Sequence, residues 1–150
     1  MDSAAVLWGG ILGSIAAAIV YVGFLALRLT SFDLLRFEGG LVAHERTNLV
    51  YIYGVVLKIV LGAGLAFAYR WAFEQIHSAS FVGWGALLGL VQGALLLLVL
   101  PLLGLVNRNV RNGDDPSPGF AGLRGGRLTP VAVLVASVVF GLWVGITLVP

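Results

Sequence analysis

The chain contains no cysteine, so disulfides and thiolate metal sites are excluded. Charge is scarce as well. Only 11% of the 150 residues are charged, too few to solvate the surface of a soluble domain of this length. Acid is scarcer still: stretches 3–27, 47–69, 78–107 and 128–150 hold no Asp or Glu, and Lys58 is their only cation. The net charge of +2 is too small to suggest a nucleic-acid partner. The start, Met1-Asp2-Ser3-Ala4-Ala5, has no basic region, so the first apolar stretch is expected to be a retained span and not a cleaved signal.

Apolar residues make up 59% of the chain and the mean hydropathy is +1.01. Each of the four stretches exceeds the roughly 20 residues that carry a helix across about 30 Å of hydrocarbon. Buried helices of soluble proteins are shorter, so length decides for spans. The expected fold is an all-α membrane protein with four transmembrane helices in an antiparallel bundle. It forms one domain, 1–150, with spans at about 4–29, 49–73, 81–105 and 129–149. A short interfacial helix is expected after the first span, over residues 30–37. Thr30 or Ser31 would cap it, Asp33 would favour its first turn and Gly39-Gly40 would end it. Pro101 is expected to bend or fray the end of the third span. Pro130 suits the first turn of the fourth, where a missing N–H costs nothing.

Arginines give an orientation. Arg28, Arg36 and Arg46 flank the first connection, Arg108, Arg111, Arg124 and Arg127 the third, and only Arg70 lies on the opposite side. Basic residues favour the cytoplasmic side, which predicts a bacterial plasma-membrane protein with both termini outside. If the helices alternate in direction, Trp8, Trp71, Trp84 and Trp143 all fall at the other interface, where indoles favour the headgroup level.

Lipid tails are as apolar as leucine, so small residues that let backbones approach do more to join spans than greasy ones. Such residues recur every four positions in each span: Gly9 and Gly13; Gly54, Gly62 and Ala66, with Lys58 on the same stripe; Gly85, Gly89 and Gly93; and Ser137, Gly141 and Gly145. These faces are expected to pack inward, with Leu95 to Leu98 meeting lipid or a partner.

Lys58 sits near the middle of the second span, where an ammonium costs about 2.5–3.5 kcal/mol on insertion scales. No acid lies within any span to pair with it. Its expected local partners are Gln92, Tyr21, Tyr53, Ser137 and free carbonyls. Two roles are open: contact with an anion, a ligand or another subunit's acid, or a lysine that snorkels toward the cytoplasmic face. Gln92 is expected to join two helices, for about 1 kcal/mol or less. His44 and His77 lie at opposite ends of the second span, roughly 50 Å apart at 1.5 Å per residue, and cannot share one haem or metal. Asp114-Asp115 lacks a second acidic pair, so no metal site is expected and the pair reads as a solvated turn. Arg108, Arg111, Arg124 and Arg127 are candidates for lipid-headgroup contact. No Ser–His–Asp, P-loop or HExxH arrangement occurs, so no catalytic role is expected.

The chain resembles small uncharacterised bacterial four-span membrane proteins. The likeness rests on Tyr53-Gly54 and the stripe through Gly62 to Tyr69, the run Gly85 to Gly93, Pro118-Gly119-Phe120, and Phe140-Gly141. It covers most of residues 50–145 and implies a fold, not an activity. Members of that group carry histidine where this chain has Lys58 or Gln92, so a histidine-based role does not transfer. The expected function is a non-catalytic accessory subunit of a larger membrane complex, with photosynthetic or respiratory assemblies as hosts. Its partners would be membrane lipids and other membrane subunits. It would have no intrinsic cofactor beyond lipid, or a pigment or quinone shared with those subunits. The alternative is a small oligomeric transporter or channel in which Lys58 and Gln92 line an anion path.

Overall fold

A computed structural model describes residues 2–43, 47–76 and 81–148; His44, Arg46 and His77 lie outside the described residues. Four helices are long and apolar enough to cross a membrane: α1 (Ser3–Ala26), α3 (Leu49–Gln75), α4 (Phe81–Val106) and α6 (Thr129–Thr147). Two short helices, α2 (Leu34–Val42) and α5 (Arg108–Arg111), lie in the connections, and a 3-10 segment (Phe120–Gly125) leads into α6. Among the described residues there is no strand.

The spans alternate in direction. At one end Arg36 meets Asp115 and Ser31 N donates to the Gly125 carbonyl, so the first and third connections share a face. At the other end Gly9 faces Thr147 and Gly145 faces Phe81. All four tryptophans belong to that second end. Trp8, Trp71 and Trp143 are exposed, and Trp84 packs against the core.

Packing is uneven around the ring. The α4–α6 seam is the most extensive, followed by α1–α6 and then α1–α3, whereas α3 and α4 touch sparingly. Glycine explains the tight seams. A β-carbon on Gly85 would collide with the Gly141 carbonyl, one on Gly89 with the Ser137 carbonyl, and one on Gly145 with the Phe81 carbonyl. Gly93 faces the Ser137 side chain, Gly62 faces Ser14 Oγ, and Gly10 faces the Gly62 carbonyl. The stripes therefore do face inward. Gly54 is the exception, because it faces the Leu35 carbonyl of α2 and not another span. On α4, Leu95 and Leu98 are exposed as expected, but Leu97 is buried in the core.

The first connection differs from expectation. Asp33, not Thr30 or Ser31, caps α2 by accepting from Arg36 N at 3.0 Å. The helix then runs straight through Gly39-Gly40 to Val42. The reason is steric. Gly39 lies against the Val50 carbonyl of α3 and Gly40 against Asn107, so both positions need glycine for contact and not for a helix stop. Thr30 bonds Thr129 Oγ1 at 2.7 Å instead, and Ser31 Oγ donates to the Gly125 carbonyl at 3.1 Å. Positive φ at Gly119 (67°), Gly122 (73°) and Gly126 (116°) lets the chain turn tightly enough to present that carbonyl. The α4 helix continues past Pro101 to Val106, and Pro130 sits in the first turn of α6.

Replacing Gly89 by Leu forces the α4 and α6 backbones apart. The expected cost is about 1–3 kcal/mol or more, read as a lower Tm in mild detergent. Gly64→Ala, with no atom near its new methyl, leaves the Tm unchanged or slightly raised.

Candidate functional site

Lys58 lies nine residues into α3, roughly 14 Å along its axis at 1.5 Å per residue. It shares a face with Gly54, one turn back toward the arginine-bearing end. Because Gly54 admits the α2 backbone, α2 lies directly along this part of α3. That placement brings Glu38 to Lys58: Nζ donates to Oε1 at 2.7 Å, with side-chain exposures of 17% for Lys58 and 13% for Glu38. The ammonium does reach back toward the arginine-bearing end, but it stops on a carboxylate of its own chain. Glu38 Oε2 is buried and has no hydrogen-bond partner.

The pair closes one end of a cavity of about 170 Å³ inside the bundle. Ser14, Tyr21, Gln92 and Ser137 supply the other polar groups of its wall, and Leu, Ala, Val and Phe side chains make the rest. Tyr21 Oη donates to the Phe32 carbonyl at 2.9 Å, and Ser14 Oγ to the Lys58 carbonyl at 3.2 Å. At the far end Tyr69 Oη donates to Gln92 Oε1 at 2.8 Å, tying α3 to α4, while the Tyr69 ring stands edge-on to Phe140 at 5.6 Å. Leu61 of α3 both lines the cavity and is 53% exposed on the outer surface. The cavity thus lies along the seam where α3 and α4 touch sparingly.

Of the residues singled out from sequence, Lys58, Gln92, Tyr21 and Ser137 meet around this cavity. Tyr53 does not; it is 40% exposed on the outer face of α3. Glu38 and Ser14 were missed. Ser14 carries no sequence signal beyond its position one turn after Gly10. Glu38 carries one: it is the carboxylate flanked by Leu34, Phe37 and Leu41 at helical spacing, twenty residues before an intramembrane lysine.

A second polar cluster fastens α2 from the arginine-bearing face. Arg36 Nε bonds Asp115 Oδ1 at 2.5 Å, and Asn109 Nδ2 donates to Asp115 Oδ2 at 3.2 Å. Tyr51 Oη donates to Asp33 Oδ2 at 2.7 Å. Asn107 Nδ2 donates to the Phe37 carbonyl at 2.7 Å, while its Oδ1 caps α5. The expected solvated Asp114-Asp115 turn is therefore corrected at Asp115, whose side chain is 8% exposed and ion-paired. Arg108, Arg111, Arg124 and Arg127 are all exposed on this face. Among the described residues no group of three or more His, Asp or Glu could hold a metal ion.

Burial raises the Glu38 carboxyl above the ordinary carboxylate range; Lys58 pulls it back, and Asp33 adds a small push upward. A carboxyl raised on folding contributes stability below its unfolded pKa and loses it as pH rises through the folded value. Lys58→Met removes the one opposing charge. The variant is expected to lose about 3–5 kcal/mol where Glu38 is ionised and much less at low pH, where Glu38 is neutral. Tm against pH in detergent checks this, and a pH-independent loss contradicts it. Infrared spectroscopy should show the Glu38 carboxyl titrating at higher pH in the variant.

No protein-family model, curated protein or solved structure matches the chain, so the chemistry of this cavity is read from its own residues.

Proposed function

We propose that the chain is a non-catalytic accessory subunit of a larger membrane assembly, and that its contribution is a cavity that holds one end of a lipophilic molecule. The observation that carries this reading is the cavity itself, polar at Lys58–Glu38 and walled by α3 and α4 where those helices touch sparingly. A bundle that served only as a scaffold gains nothing from a buried ion pair, since well-packed apolar residues of similar volume are often as stable or more so. The polar groups around the cavity are engaged in structural bonds, Ser14 and Tyr21 to carbonyls and Lys58 to Glu38. Such an arrangement suits holding a ligand better than turning it over. An anion path is less well supported, because Glu38 neutralises the cation that would draw the anion in.

The exposed arginines support a reading in which the α2–α5 face lies at the cytoplasmic leaflet of a bacterial plasma membrane, where anionic headgroups attract basic residues. The termini then lie outside. With no native cysteine, single replacements report cleanly: Arg124→Cys should react only from the cytoplasmic side and Asp2→Cys only from outside.

For the cavity, wild type and Ala136→Phe, which fills it from α6, are purified from native membranes under mild detergent. Native mass spectrometry is expected to show wild type with a partner subunit and a bound lipophile, and Ala136→Phe without the lipophile. A folded wild-type monomer carrying neither overturns the reading.

A further inference from the structure

The first span closes on an arginine at a position whose backbone favours glycine. The Leu29 amide bonds the Phe24 carbonyl and the Arg28 amide bonds the Leu25 carbonyl, both at 3.0 Å. This is the Schellman pattern, which puts the residue after the helix cap into left-handed backbone. Here that residue is Arg28, with a φ of 58°. Glycine takes this conformation freely and most other residues avoid it. The Arg28 side chain is exposed, and among the described residues it has no ion-pair partner. Neither the turn nor the packing accounts for an arginine at this position.

The chain after it gathers two more. Ser31 N donates to the Gly125 carbonyl at 2.8 Å, Thr30 Oγ1 lies 2.7 Å from Thr129 Oγ1, and the Leu29 carbonyl faces Gly126. Arg28 adjoins Leu29, Arg124 adjoins Gly125 and Arg127 adjoins Gly126. Three arginines therefore share the corner where α1 ends and α6 begins. Arg124 and Arg127 are also exposed and, among the described residues, unpaired. Asp33, Glu38 and Asp115 of the same face are engaged elsewhere, with Tyr51, Lys58 and Arg36.

Like charges at one corner repel, and each guanidinium offers a planar fork of donors that matches phosphate oxygens. Around them Leu27, Leu29, Phe120, Leu123 and Leu128 are exposed. The corner sits at the ends of two spans, where hydrocarbon gives way to headgroups. A soluble anion would satisfy the arginines and leave those apolar side chains in water, whereas a phospholipid satisfies both. We infer that the Arg28–Arg124–Arg127 corner is a binding site for the headgroup phosphate of an anionic phospholipid, with its acyl chains against the flanking leucines and Phe120. The site is separate from the cavity and does not depend on what the cavity holds.

The test uses the full chain in mild detergent, with native mass spectrometry counting bound lipid as phosphatidylglycerol or phosphatidylcholine is titrated in. Wild type is expected to hold phosphatidylglycerol more tightly. A basic residue beside an anionic surface is worth about fivefold in affinity. Arg28→Gly combined with Arg127→Gln is therefore expected to weaken phosphatidylglycerol binding about 25-fold and to leave phosphatidylcholine unchanged. Because glycine suits the Arg28 backbone, Arg28→Gly is expected to keep or raise the lipid-free Tm, so weakened binding is not misfolding. Arg108→Gln combined with Arg111→Gln, on the same face but away from the corner, is expected to cost far less.

Equal affinity of wild type for the two lipids overturns the site. An equal loss in the Arg108 and Arg111 variant overturns it in favour of a diffuse basic face. Displacement of phosphatidylglycerol by inorganic phosphate at equal concentration overturns it in favour of a free anion. A lower lipid-free Tm for Arg28→Gly makes that arginine structural and overturns its part in the site.

Discussion

An ammonium in the hydrocarbon half of a helix must be compensated, and how Lys58 is compensated organises much of this bundle. Its partner, Glu38, reaches it because a short helix leaves the first connection and lies along α3. That contact demands glycine at 39 and 54, where each backbone meets a carbonyl of the other helix. It also demands anchoring from behind, which Arg36–Asp115, Tyr51–Asp33 and Asn107–Phe37 provide. A charge near the middle of a span is thus coupled to Asn107 and Asp115, about fifty positions later in the chain. Breaking such a pair costs more than never having had it, because the remaining charge is left buried and uncompensated.

The spans are joined by a different principle. With no hydrophobic gain from exchanging lipid for leucine, close approach of small residues sets the seams. The α4 and α6 backbones meet through Gly85, Gly89, Gly141 and Gly145, and α1 meets α3 through Gly10, Ser14 and Gly62. Among the described residues the α3–α4 seam has no such run of glycine contacts, and Tyr69 bonds Gln92 across it. The same distribution of glycine that closes three seams leaves the fourth open.

The spans and their alternation were legible in the sequence because each rests on a local quantity: run length, charge-free composition, and the period of small residues. The inward face of α3 was legible too, from Gly62 and Ala66 one turn apart, although Gly54 on the same stripe meets α2 and not another span. The path of α2 was not. Gly39-Gly40 reads locally as a helix stop, and only the carbonyl of Val50 and the side chain of Asn107 explain why glycine is there inside a helix. Asp115 failed in the same way: a Gly-Asp-Asp-Pro turn looks solvated until Arg36 arrives from another connection.

The sequence alone therefore determined that this chain coils four times through a bilayer, since unpaired peptide groups cannot stand in hydrocarbon and these stretches offer nothing else to satisfy them. It also singled out Lys58 as an ammonium set within a span. Which carboxylate meets that lysine, and that Ser14, Tyr21, Gln92 and Ser137 surround one cavity with it, was decided by tertiary structure. Those groups come from four spans and a connection, and no spacing along the chain encodes how helices far apart in sequence turn toward one another.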